Sequence, residues 1–176
     1  MARRLPIRFR SLALAVLGVV LLAGALWPMA GRPEPARRLE GIVLRLVDGD
    51  TIHVQFNGRV EKVRYIGVNT PEIHHPRKGE EPGGREAREV NRRLVEGRSV
   101  RLEPDVQQRD RYGRLLAYVW VRQDGGGEVM VNAELVRLGY AQVMTIPPNV
   151  RYTNTFLAFQ RQARDGHRGL WRLAGP

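Results

Sequence analysis

Between Asp48 and Glu72 the chain sets Asp48, Asp50, Arg64, Asn69 and Glu72 into one short stretch. Carboxylate and amide oxygens gathered in one place are hard ligands, the kind that suit Ca²⁺ or Mg²⁺. A guanidinium beside them would hold a phosphate against that ion, because its planar fork matches two phosphate oxygens. Such a set suits phosphoryl transfer, whose transition state spreads negative charge over the equatorial oxygens. An Asp-Gly-Asp by itself is an ordinary turn, so the reading rests on the combination.

The local pattern brings these groups together. Asp48-Gly49-Asp50 is a turn signal between two apolar runs, with Gly for the strained backbone angle and Asp bonding back to its own main chain. Thr51 to Phe56 alternates polar and apolar, which predicts a half-buried strand. Asn57-Gly58 predicts a tight hairpin, since both turn positions need positive φ. Val60 to Val68 then returns as a mostly apolar strand interrupted by Arg64. The hairpin therefore carries Asp50 back alongside Asn69, Thr70 and Glu72.

The chain has 176 residues and no cysteine. That length fits one domain with a real core plus one appended segment, and not a second full domain. Disulfides, zinc–thiolate sites and thiol catalysis are excluded. A net charge of +11 favours polyanionic partners, nucleic acid foremost. Arg3, Arg4, Arg8 and Arg10 lie in an N-terminal segment without acidic residues, and the remainder still carries +7. Charge alone is equally compatible with anionic lipid or plain solubility.

Leu12 to Trp27 is apolar without interruption. A basic head followed by such a run is an export signal or an uncleaved signal-anchor. Ala23-Gly24-Ala25 offers a small-residue cleavage site, whereas the run extended to Ala30 approaches the roughly 20 residues needed to span a bilayer. Both readings place the remainder outside the cytoplasm, secreted or tethered to the membrane through residues 12–30, because the arginines stay inside. The expected organisation is an apolar signal or anchor helix at 1–30, a Gly- and Pro-containing linker at 31–39, and one domain at 40–176.

Within that domain, strands are expected at Ile42 to Val47, Val100 to Leu102, Leu115 to Val121 and Val129 to Val131, beside the hairpin. Ala87, Val90 and Leu94 define one face of a helix from Arg85 to Glu96, stopped by Gly97. Asn132 is expected to cap a short helix ended by Gly139. Tyr140 to Met144 fits a last short strand. Tyr152, Phe156, Phe159 and Ala163 recur at helical spacing, and Leu170 and Trp171 read as a plug on the core. Short strands with helices late in the order predict a small mixed barrel, not a parallel sheet.

Three blocks resemble the staphylococcal nuclease (thermonuclease) family, in the family order. The first is Asp48-Gly49-Asp50-Thr51 followed by Arg64 and Val68-Asn69-Thr70-Pro71-Glu72. The second is Tyr112-Gly113-Arg114 running into a strand, and the third is Val131-Asn132-Ala133-Glu134-Leu135-Val136-Arg137-Leu138-Gly139. The resemblance covers about residues 40–171 and implies an α+β fold, a five-stranded OB-fold β-barrel with three α-helices. It also implies a Ca²⁺-dependent phosphodiesterase acting on DNA and RNA. Asp50, Asn69 and the Thr70 carbonyl would then hold the metal. Glu72 would orient or deprotonate the attacking water, and Arg64 and Arg114 would clamp the phosphate. Tyr112 would contact phosphate or sugar. Arg111, Arg77 and Lys78 are expected on the substrate backbone, since basic side chains bind phosphates without reading sequence. A monomer is expected.

Two departures from the family stand out. Asn69 replaces a frequent Asp and so removes one formal negative charge from the ligand set. Thr145 and Pro147 stand where the best-known member has tyrosines lining its nucleotide pocket, and Tyr140 or Trp120 are the aromatic residues that could compensate. Two other readings stay open at this point. One is an OB barrel that binds nucleic acid without turning it over, which the joint presence of Arg64, Glu72 and Arg114 argues against. The other is a tethered protein using its charge on envelope polyanions, which leaves the catalytic set unexplained.

Overall fold

The computed structural model describes residues 39–73 and 79–172. The export or anchor segment, the linker up to residue 38, and His74, His75, Arg77 and Lys78 lie outside the described residues. Strands β1 (Leu39–Asp48), β2 (Thr51–Phe56), β3 (Arg59–Tyr65) and β4 (Val68–Asn69) come first. Helix α1 (Gly84–Val95) leads to β5 (Ser99–Glu103), β6 (Leu115–Arg122) and β7 (Glu128–Met130). Helix α2 (Val131–Arg137), β8 (Gln142–Val143), α3 (Thr153–Asp165) and a 3₁₀ turn at Gly169–Arg172 complete the domain.

Neighbouring strands run in the order β3-β2-β1-β5-β6-β7, and β3 also pairs in parallel with β6. That last pairing closes five strands into the expected barrel, with β7 as a short extension. β1 serves two partners, β5 along its first half and β2 along its second. Two bulges, between Val43 and Arg45 and between Leu46 and Asp48, give it the extra bend that closure requires. Inside lie Val43, Ile52, Val54, Val63, Leu102 and Val119, the residues whose period-2 pattern marks the inward face.

The hairpin turn has the predicted positive φ at Asn57 and Gly58. The expected strand from Val60 to Val68 is broken into two. Gly67 turns the chain at φ 78°, and Val68–Asn69 departs to pair with Gln142–Val143. A Cβ on Gly67 would come within 2.6 Å of the Phe156 ring, so the turn is held against α3.

α1 buries Ala87, Asn91 and Val95, with Val90 and Leu94 packed at the edge of the core. Asn91 belongs to this face because its Oδ1 accepts the hydroxyl of the buried Tyr65 at 2.9 Å. Leu170 and Trp171, expected as a plug on the core, form the 3₁₀ turn without being buried in the core: Leu170 lies against Gly83, and Arg164 is 4.5 Å over the Trp171 ring.

Asn132 does not cap α2; it sits inside the helix, fully buried. Its Oδ1 accepts the Val119 N–H at 2.9 Å, and its Nδ2 donates to the carbonyls of Ile66 at 2.9 Å and Ala117 at 3.3 Å. One amide thereby ties α2 to β6 and to the turn after β3, the turn that leads into the site. Asn132→Ala would leave these buried backbone groups short of partners, each costing about 1–3 kcal/mol. The expected loss is about 3 kcal/mol, read as a lower urea midpoint at constant slope. A loss under about 0.5 kcal/mol, the scale of an ordinary surface substitution, would show that the tie is dispensable.

Candidate active site

At the β1–β2 turn the Asp50 carboxylate is buried and fully engaged. It accepts the Thr51 hydroxyl at 3.0 Å and the Thr70 N–H at 2.9 Å, and it lies 3.1 Å from Arg64 Nη2. Arg64 has less than a tenth of its side chain exposed. Its Nη1 donates to the carbonyls of Tyr65 at 2.6 Å and Val68 at 2.8 Å, and Nη2 also reaches Asn69 Oδ1 at 3.0 Å. Asp50, Arg64, Asn69 and Thr70 therefore meet at one point, as the sequence implied. Burial lowers the Arg64 pKa, the Asp50 charge opposes that, and nearby Arg114 adds to it.

Gly49 has no positive φ, contrary to the expectation for this turn. Glycine is required there for space, because a Cβ would lie 2.6 Å from Thr70 Oγ1. That hydroxyl is itself buried without a hydrogen-bond partner. Asp48 accepts the Gly49 N–H at 2.9 Å and so shapes the turn. Burial, reinforced by the charges of Asp50 and Glu72, raises the Asp48 pKa. Asp48, Asp50 and Glu72 thus share one neighbourhood, and Asp48 and Asp50 also lie close to the Arg64 guanidinium.

Glu72 is half-buried and is positioned through its main chain. Its N–H donates to Glu81 Oε2 at 3.0 Å, and its carbonyl accepts the Glu81 N–H at 2.8 Å. Among the described residues nothing hydrogen-bonds or ion-pairs with the Glu72 carboxylate. A carboxylate held in place by its backbone and left uncommitted can accept a proton from water.

Arg114 enters from the loop before β6, whose start lies beside Arg64 through the β3–β6 pairing. Its Nε donates to Asp110 Oδ2 at 2.6 Å, and its N–H to Asp110 Oδ1 at 3.0 Å. Burial works to raise the Asp110 pKa, but hydrogen bonds from Arg114 and the Tyr112 N–H outweigh it and hold the carboxyl below its ordinary value. Tyr112 is 68% exposed. Arg111 lies 4.8 Å and Arg114 5.4 Å over its ring, and Arg111 Nη2 donates to its hydroxyl at 2.6 Å.

These side chains line a cleft of about 430 Å³ with Arg64, Tyr65, Gln107, Met144, Ile146 and Asn149. Three arginines, Arg64, Arg111 and Arg114, face it, and Asp110 is already paired. Gln107 and Asn149 lock its two loops reciprocally: the Gln107 N–H donates to Asn149 Oδ1 and Asn149 Nδ2 to the Gln107 carbonyl, both at 2.8 Å. Sequence reasoning singled out neither, nor Asp110, Met144 or Ile146. Asp110 had a signal, four residues before Arg114 in a turn; the others are joined only by the fold.

Neither aromatic residue that could replace the missing tyrosines does so. Trp120 Nε1 donates to Glu103 at 2.9 Å beside Arg101 and Tyr152, and Tyr140 lines a different, smaller cavity with Gly83 and Leu170. Met144 and Ile146 line this stretch of the cleft as apolar side chains.

The donors at the turn fit a hard divalent cation. Asp50 carboxylate, Asn69 amide and Thr70 carbonyl are all oxygens, as Ca²⁺ and Mg²⁺ require. Among the described residues no three His, Cys, Asp or Glu side chains cluster to hold a metal. An ion here would rest on Asp50 and neutral oxygens, with Asp48 and Glu72 adding charge nearby. Arg64 Nη2 stands on the same Asp50 and Asn69 oxygens.

Residues 62–173 match the family described as staphylococcal nuclease homologue. A thermonuclease of Staphylococcus hyicus is 40% identical over 129 residues, 73% of this chain and 73% of that protein. A thermonuclease of Staphylococcus intermedius is 37% identical over 74% of each chain, and endonuclease YncB of Bacillus subtilis is 35% identical over 83% of this chain and 69% of its own. The family match spans more than half of the chain, the barrel is the one its motifs implied, and the motif residues converge at one end of it: this chain belongs to the staphylococcal nuclease family.

Proposed function

We propose that the protein is a nuclease that hydrolyses phosphodiester bonds of DNA and RNA with little sequence specificity, dependent on Ca²⁺. The observation that carries the reading is the pair of guanidiniums, Arg64 and Arg114, at one cleft, with the uncommitted Glu72 carboxylate near Asp48 at the adjoining β1–β2 turn. The thermonuclease and endonuclease names of the relatives support the reaction class. The arginines of the cleft present charge to the phosphate backbone, a contact that carries no sequence information.

The chemistry follows from the chain's own groups. Arg64 and Arg114 bind the scissile phosphate and neutralise the charge that builds on its equatorial oxygens. Glu72 takes a proton from water as the water oxygen bonds to phosphorus and the bond to the leaving nucleotide breaks. Solvent returns a proton to the leaving alkoxide. Asp50, Asn69 and the Thr70 carbonyl would hold the Ca²⁺, which when bound would supply Lewis-acid polarisation of the phosphate. Asp110 keeps the Arg114 side chain pointed into the cleft. Asn69 brings a dipole where a carboxylate would bring a charge, so free-enzyme affinity for Ca²⁺ belongs to the weak class, about 10⁻⁴–10⁻³ M. Substrate phosphate adds an anionic ligand, so metal and nucleic acid bind cooperatively. Tyr112, Arg111 and Lys78 contact the substrate strand.

We further propose that the domain works outside the cytoplasm, secreted or tethered, on the ground of the arginine-flanked apolar segment. Protease added to spheroplasts should digest the domain and spare cytoplasmic proteins; full protection would refute the location.

The test of the reaction is Glu72→Gln, which keeps the size and removes the basic carboxylate. Plasmid, denatured DNA and RNA should be degraded with Ca²⁺ and spared with chelator, and the variant should lose at least about 10²-fold in rate. Its binding of a non-cleavable oligonucleotide should stay within a factor of two or so, since Glu72 contributes no attraction to phosphate. Undiminished turnover would make Glu72 a bystander.

A further inference from the structure

On the outer face of the barrel Arg45, His53 and Lys62 stand side by side across three strands. Arg45 is the register partner of His53, and His53 of Lys62. Alternation puts this row on the side of the sheet opposite Leu46, Ile52 and Val63, which are buried. Among the described residues neither Arg45 nor Lys62 has an ion-pair partner, and both are exposed. The nearest carboxylate in sequence, Glu61, is taken by Arg109 at 2.9 Å. His53 Nδ1 is buried without a hydrogen-bond partner. Burial, then the charges of Arg45 and Lys62, lowers the pKa of this ring.

The position of the row points to its ligand. The next register row on the same face is Asp48–Thr51–Arg64, which belongs to the candidate active site. Two residues along a strand separate the rows, about 7 Å. On the other side the row Ile42–Gln55–Val60 carries no charge, so the basic band is one row deep.

We infer that Arg45, His53 and Lys62 form a phosphate-binding track that carries the substrate strand away from the cleft across the outer face of β1, β2 and β3. The track rests on the nuclease reading of the site. Its ligand is a phosphodiester backbone, bound by charge without reading sequence. A strand whose scissile phosphate sits on Arg64 passes over this row with its flanking phosphates, so long substrates are held more tightly than short ones.

The experiment measures binding of single-stranded oligonucleotides to the full chain in neutral detergent, with chelator present, over a range of salt. One oligonucleotide has about three nucleotides, shorter than the roughly 4–16 that an OB barrel holds, and one about twelve, within that range. In Arg45→Ala/Lys62→Ala the salt slope for the long one should fall by about 1.4, from about 0.7 per phosphate contact. The slope for the short one should hold. Removing two exposed arginines elsewhere, Arg88→Ala/Arg122→Ala, should leave both slopes in place. An unchanged slope for the long oligonucleotide, or an equal fall for both lengths, overturns the track. Absence of hydrolysis by the wild type with Ca²⁺ would refute the nuclease reading while these slopes still decide the row.

Discussion

The buried contact between Asp50 and Arg64 is the constraint on which the site depends. Both groups are almost wholly removed from water, and each is held by further hydrogen bonds: Asp50 by Thr51 and Thr70, Arg64 by the carbonyls of Tyr65 and Val68. Removing one partner of such a pair leaves an uncompensated buried charge, at a cost of about 3–5 kcal/mol. The pair is weak evidence for stability in itself, because two apolar residues could pack there as well. Its value lies in geometry. It sets Asn69 and Thr70 against the β1–β2 turn and leaves a cation and a carboxylate group side by side where a phosphate and a metal ion would need them.

The rest of the domain can be understood as support for that contact. Two bulges bend β1 so that five strands close, and closure brings the start of β6, with Arg114 just before it, beside Arg64. The Gly67 turn ends β3 against Phe156 and sends the chain back over the guanidinium to Asn69. Asn132 fixes that turn from beneath by holding the Ile66 carbonyl. The flexible-looking loops of the cleft are pinned as well, by Asp110 on Arg114 and by the reciprocal amides of Gln107 and Asn149. Preorganised donors of this kind stabilise developing charge without reorganising during the reaction.

Much of this was legible in the residues. The hairpin, the inward period-2 faces and the helix faces follow from local pattern, and the carboxylate, amide and arginine groups fall together once the hairpin is drawn. What was not legible had non-local causes. Gly49 reads as a residue of special backbone angle, yet it is there to admit the Thr70 side chain from 21 positions away. Asn132 reads as a helix cap because caps are local, whereas its partners lie on β6 and on the β3 turn. The break of β3 at Gly67 depends on a phenylalanine from the last helix. The walls of the cleft, Met144, Ile146 and Asn149, carry no pattern of their own and are assembled by closure.

The Asp50 and Asn69 oxygens that Arg64 Nη2 contacts are the ones that would hold a divalent cation, so the guanidinium and the ion would compete for them. A calorimetric Ca²⁺ titration of the wild type and of Arg64→Gln, without nucleic acid, tests it directly. Removing the positive charge beside the donors should tighten Ca²⁺ binding by about fivefold or more, the lower end of the roughly 1–4 kcal/mol that one nearby charge contributes in water or at a protein surface. Equal or weaker binding in the variant would place the ion elsewhere and separate Arg64 from the metal site.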